Sequence, residues 1–108
     1  MQYEVKMTPS ATEGIGDIIS YISKVLLVPD TASKWADYLQ KEIAGLNIMP
    51  ARHVLVEMEP WRGRGIRKMP VKNFIVYYFI DEKSKTVWIT AVVYAKRDQL
   101  SALKNMPL

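Results

Sequence analysis

The chain has 108 residues and a mass of 12.4 kDa, 49% hydrophobic and 24% charged with a mean hydropathy of -0.05, values that fit one soluble globular domain spanning 1–108 and exclude disordered, collagenous and membrane-spanning classes. There is no cysteine and one histidine, so disulfides, thiolate metal sites, a cysteine nucleophile and multi-histidine metal centres are all excluded, and a reducing cytoplasm is the expected compartment. The 15 Lys+Arg against 11 Asp+Glu leave a net charge of +4, a modest pull toward anionic partners.

Tyr3–Met7 alternates apolar and polar residues, the period of a half-buried strand. Thr8 then Pro9 reads as a helix N-cap followed by proline at the first helical position, and one turn on Ser10 and Glu13 have capping-box spacing. Ala11, Ile15, Ile18, Ile19, Ile22 and Leu26 recur at helical spacing, which predicts a first helix over Pro9–Leu26. Val28-Pro29-Asp30 interrupts it. Ala32, Trp35, Ala36, Leu39, Ile43 and Leu46 predict a second helix ending near Asn47, so the two form an amphipathic hairpin.

After Pro50 the period falls to two, and Arg52–Met58 is predicted as a strand. Arg62-Gly63-Arg64-Gly65 reads as a basic turn. Ile66–Val71 is a strand with Arg67, Met69 and Val71 on one face and Lys68 on the other. Lys72-Asn73 is a tight reversal into Phe74–Ile80, apolar on both faces and therefore a central strand. Residues 81–85 turn the chain into a last strand, Thr86–Tyr94, with a short helix or tail from Arg97. The sum is an α+β domain: an N-terminal strand, a helical hairpin, then three to four mainly antiparallel strands with both helices on one sheet face. The other face is left for solvent, a partner or a substrate.

Charge is unevenly placed along this order. Residues 1–61 carry five cations and eight acids, a net of −3; residues 62–108 carry ten cations and three acids, a net of +7. If the halves fold as layers, the strand layer is the basic one.

The serines lack a nucleophile elbow, and Gly63-Arg64-Gly65 is too short for a phosphate-binding loop. His53 reads as packed beside Val54 and Leu55 rather than as a base, and Glu57 and Glu59 as solvated carboxylates before a loop. Trp35 and Trp88 fall on core stripes, whereas Trp61, between Pro60 and Arg62, is expected to be exposed and free to stack on a base. What remains is a set of cations with a tyrosine: Arg62, Arg64, Arg67, Lys68, Lys72, Tyr94, Lys96 and Arg97. Arginine forks match phosphodiester oxygens and lysine adds a point charge. Such groups suit binding of phosphate, or metal-independent RNA cleavage in which a 2′-hydroxyl attacks its own phosphate.

Several stretches resemble the RelE/ParE superfamily of bacterial toxins. These are the opening Tyr3–Ala11, the Ile18-Ile19-Ser20-Tyr21-Ile22 pattern, the hairpin Gly65–Tyr78 and the terminal Val93-Tyr94-Ala95-Lys96-Arg97-Asp98. The resemblance implies the toxin of a type II toxin–antitoxin pair, neutralised by an antitoxin protein and touching operator DNA only through that complex. RelE-like members cleave messenger RNA on the ribosome with Lys, Arg and Tyr side chains; ParE-like members inhibit DNA gyrase without that set. On the first reading, Arg67 and Arg97 would stabilise the phosphate, Lys68 or Lys96 assist proton transfer and Tyr94 stack, with Arg62, Arg64, Lys72 and Trp61 binding nucleic acid and no cofactor or metal required. The chain carries Ile75 where such members commonly have an arginine. Gyrase inhibition, or a degenerate member that binds only antitoxin and operator, is the alternative.

Overall fold

In the computed structural model, described over residues 2–20, 29–72 and 74–94, the elements are β1 (Glu4–Met7), α1 (Pro9–Ser20), α2 (Pro29–Ala44), β2 (Arg67–Val71), β3 (Phe74–Asp81) and β4 (Thr86–Tyr94). The predicted continuation of α1 to Leu26 and the tail from Arg97 lie outside the described residues. The sheet order is β1-β4-β3-β2. β2, β3 and β4 form an antiparallel meander, and β1 joins β4 in parallel, with Val5 opposite Val87 and Met7 opposite Ile89.

Thr8 caps α1: its Oγ1 accepts from the Ala11 N–H at 3.2 Å while its own hydroxyl donates to the Ile89 carbonyl at 2.9 Å. Ser10 and Glu13 therefore lie inside the helix rather than forming its capping box, because Pro9 already occupies the first turn. One turn further on, α1 passes so close to β4 that a Cβ on Gly14 would stand 2.6 Å from the Val92 carbonyl oxygen. α2 lies on the same sheet face and continues as a short 3-10 turn, Gly45–Asn47. Ala11, Ile18, Leu39, Ile43 and Leu46 from the helical layer meet Met69, Val71, Phe74, Val76, Tyr78, Val87, Ile89 and Val92 from the sheet in one buried cluster. These sheet positions share a face by register, since paired residues across a ladder point the same way.

The predicted strand Arg52–Met58 does not form. Pro50–Arg52 is a second 3-10 turn, entered through Met49 in the left-handed region (φ 49°). Only a short run pairs with the sheet: Leu55 bridges Arg67, the Val56 N–H donates to the Ile66 carbonyl, and the Lys68 N–H donates to the Val54 carbonyl. The chain then leaves the edge and folds back over the second sheet face. There Val56 and Ile66 are buried against Tyr77, with Trp61, Ile75, Phe79, Ala91 and Val93 packed around them. Of the apolar residues that read as one face of a strand only Val56 is buried, while Val54 and Met58 are exposed, and Val56 with Trp61 and Ile66 covers part of the face expected to be open. Gly65, at φ 84°, makes the turn that returns the cover to β2. Among the described residues no helix is long and apolar enough to cross a membrane.

Candidate functional site

The predicted cations and tyrosine are distributed by the sheet onto two faces and two ends. Arg67 faces the helices, opposite Tyr78, and its guanidinium is engaged: Nη1 donates to the His53 carbonyl at 2.7 Å and to the Ala51 carbonyl at 3.4 Å. Beside it the Tyr78 hydroxyl donates to the Pro50 carbonyl at 2.5 Å, and Arg52 Nη1 donates to the Ile48 carbonyl at 2.6 Å. Two arginines and a buried phenol thus hold the carbonyls of the 48–53 bend, which has no ladder to satisfy them. Burial pushes the Tyr78 phenol up to about 12, against the opposing pull of Arg67 and Arg52. His53 stands edge-on to Tyr78, ring centroids 6.5 Å apart, and burial, helped by Arg52 and opposed by Glu42, lowers its pKa.

Lys68 lies on the opposite face, paired with Tyr77, and is half-buried. Tyr94 faces the helices at the far end of the sheet, where its ring packs at 5.5 Å on Phe74, and Trp35 meets Phe74 edge-on at 5.2 Å. Lys72 belongs to this end too, its Nζ 4.5 Å from the Tyr38 ring centroid and 4.9 Å from that of Trp35. The Lys72 ammonium is held over aromatic rings at a turn where its own backbone is left-handed (φ 53°).

Register measures the separation. Arg67 is level with Tyr78 and Tyr94 with Phe74, four residues apart along β3 and two strands apart across the sheet. At ~3.3 Å per residue and ~4.8 Å per strand this is about 16 Å. That separation is between the backbone positions of Arg67 and Tyr94 on one face, and Lys68 is on the other side of the sheet from both. Lys96 and Arg97 lie outside the described residues.

The cover segment corrects a further expectation. Trp61 is half-buried against Val56, Ile66 and Tyr77 rather than exposed, because it anchors the cover to the sheet. Trp35 packs against the main cluster as predicted. Trp88 is half-buried on the second face, with Lys6 Nζ 5.6 Å from its ring centroid. Arg62 and Arg64 are exposed on the turn, Arg62 Nη1 donating to the Val56 carbonyl at 3.3 Å. Glu57 and Glu59 are exposed, and Glu59 Oε2 accepts from the Gly63 N–H at 3.2 Å, so this carboxylate shapes the turn. No sequence signal marks the tie of Arg52, Arg67 and Tyr78 to one bend, since these three residues meet only once the chain has folded. A pocket lined by Tyr3, Met49, Pro50, Ala51 and Arg52 opens beside that bend.

Two helices against one face of a four-stranded sheet, with a parallel N-terminal strand, define a fold shared with small bacterial toxins. Similar solved structures include a chromosomal ParDE system from P. aeruginosa, at TM-score 0.71 and 17% identity over 88% of this chain and 98% of that one. The RelBE2 toxin–antitoxin complex from Mycobacterium tuberculosis aligns at TM-score 0.61 and 19% identity, over 87% of this chain and 99% of that one. A mutant E. coli toxin RelE in the free state aligns at TM-score 0.61 and 12% identity, covering 94% and 93%. Sequence comparison with curated proteins gives no match. The family profile described as the ParE toxin of the type II toxin–antitoxin system parDE matches residues 5–99, and the chain belongs to that family.

Proposed function

We propose that this type II toxin acts by binding and inhibiting a macromolecular target, in the ParE manner with DNA gyrase as that target, rather than by cutting messenger RNA. The observation that carries this reading is the dispersal of Arg67, Lys68 and Tyr94. Cleavage by a 2′-hydroxyl needs a proton acceptor, a stabiliser of the dianionic transition state and a proton donor around one phosphate. Here Arg67 is tied to backbone carbonyls, Lys68 is on the opposite face, and Tyr94 is about 16 Å from Arg67 by strand geometry. Isoleucine at position 75, half-buried among Trp61, Phe79 and Val93, supports the same reading. The family supports an antitoxin partner, with operator DNA contacted through the complex.

The test is induction of the toxin in growing cells, followed by transcript mapping and a DNA-damage reporter, with purified gyrase supercoiling assayed in parallel. The expected result is inhibited supercoiling and an induced damage response with translated messages intact. Rapid cutting of translated messages at preferred codons, with gyrase unaffected, would overturn the proposal in favour of ribosome-dependent cleavage. Loss of both activities with antitoxin and operator binding retained would identify a degenerate member.

A further inference from the structure

The sheet has two outer edges, and they are not equivalent. The outward groups of β2 are partly used, with the Ile66 carbonyl and Lys68 N–H bonded to the 54–56 segment. The next outward position is Pro70, which has no N–H to offer. This edge is closed by pairing and by proline.

The edge of β1 is different. The Glu4 and Thr8 N–H groups donate to the Lys85 and Ile89 carbonyls of the β4 side, so by alternation the Lys6 groups also point inward and those of Tyr3, Val5 and Met7 point outward. The outward Tyr3 N–H is taken by the Asn47 carbonyl at 2.7 Å, and Gln2 bridges Ile48 antiparallel. A fifth strand has in effect begun there and stops. Among the described residues, Val5 and Met7 have no outward backbone hydrogen bond.

We infer that the Val5–Met7 edge of β1 is a strand-addition site for an extended, acidic segment of the antitoxin, which completes the row that Asn47 and Ile48 start. This rests on the chain being a toxin with a protein antitoxin. Three features specify the occupant. Val5 and Met7 are half-buried on the helix-facing side, so an added strand would place apolar side chains beside them on that side. Lys6, exposed on the other side and paired only at 3.9 Å with the exposed Glu4 of its own strand, would gain a closer partner from an acid of the added strand, in keeping with a chain of net charge +4. At its Tyr3 end the edge runs into the pocket of Tyr3, Met49, Pro50, Ala51 and Arg52, beside exposed Ile48 and Met49, which would receive an apolar terminal side chain.

The test uses the toxin co-expressed with the small protein encoded beside it. Residue-resolved amide exchange is compared between free toxin and purified complex. The Val5 and Met7 amides are expected to exchange rapidly when free and to be protected at least about tenfold in the complex, while Lys6, bonded inward, is slow in both. Val5→Pro removes the outward donor without breaking a bond to β4, and should weaken complex formation about tenfold or more. Val5→Ala keeps the donor while trimming the side chain, and should bind far more tightly than Val5→Pro. A complex that forms with Val5 and Met7 still exchanging at their free rates would overturn the inference while leaving the toxin reading intact. Equal weakening by Val5→Ala and Val5→Pro would also overturn it, as would protection of both amides in the free toxin at high concentration, which would assign the edge to a second copy of this chain. Failure of the co-encoded protein to bind at all would instead refute the toxin–antitoxin reading on which the inference rests.

Discussion

Gly14 and Gly16 lie two residues apart in α1, yet adding a methyl group to each should move stability in opposite directions. In a helix interior, Gly→Ala ordinarily stabilises by about 1 kcal/mol, because alanine gives up less backbone entropy. Among the described residues nothing lies within 4 Å of a Cβ added at Gly16, so Gly16→Ala should show that gain in full. At Gly14 the same atom would stand 2.6 Å from the Val92 carbonyl oxygen, and the obstacle is the backbone of a strand paired on both sides. Neither that carbonyl nor a helix capped onto Ile89 by Thr8 can move away cheaply. Overpacking of this kind costs about 1–3 kcal/mol. Gly14→Ala should therefore fall ~1–3 kcal/mol below Gly16→Ala, since the propensity term is common to both. Urea unfolding of both variants and the parent, followed by circular dichroism, reads the difference directly. For a domain near this size it corresponds to a Tm gap of roughly 4–8 °C per kcal/mol. Equal stability of the two variants would refute the close approach of α1 to β4.

Tyr78→Phe removes the donor to the Pro50 carbonyl and should lower stability by about 1–3 kcal/mol in equilibrium unfolding, because the partner carbonyl is left unsatisfied in a buried position. The raised Tyr78 pKa favours the protonated phenol in the folded state, so the parent should lose stability as pH rises from about 10 to about 12, a loss the phenylalanine variant should not share. His53 has the opposite linkage: its lowered pKa means its contribution is complete above its ordinary value of 6.5 and is lost as pH falls through the lower folded-state value. His53→Gln should flatten that acid limb in urea titrations at pH 7 and pH 5. Lys72→Ala gives up contacts over Trp35 and Tyr38, about 0.5–1 kcal/mol at an exposed site, whereas Lys72→Gly should regain part of that by relieving the left-handed backbone. Chemical denaturation of the two variants side by side tests the ordering.

Local pattern was legible where one side of an element meets the core and nothing competes. Tyr3–Met7, the Thr8 cap, the α2 stripe and the Phe74–Ile80 strand all follow from period and turn chemistry. The segment Arg52–Met58 was not legible, because Val54, Val56 and Met58 alternate whether the chain adds a full strand or crosses the sheet as a cover. The left-handed Met49 and the ties of Arg52, Arg67 and Tyr78 to the bend favour the second outcome. The burial of Trp61 is hidden for the same reason: neighbouring Pro60 and Arg62 suggest solvent, while a sheet face distant in sequence supplies its contacts.

Composition alone confined any chemistry to arginine, lysine and tyrosine, since there is no cysteine and a single histidine, and the period of two already put Arg67 and Lys68 on opposite faces. The net charge of +4 resolves along the chain into −3 and +7, but β1 of the acidic part joins the sheet of the basic part, and Glu57 and Glu59 lie on the segment that crosses its second face. What the tertiary structure decided is which strands are neighbours. Alternation is a property of a few adjacent residues, but the order β1-β4-β3-β2 depends on packing across some eighty residues of chain. That order separates Arg67 from Tyr94 and leaves Val5 and Met7 on an outer edge of the sheet.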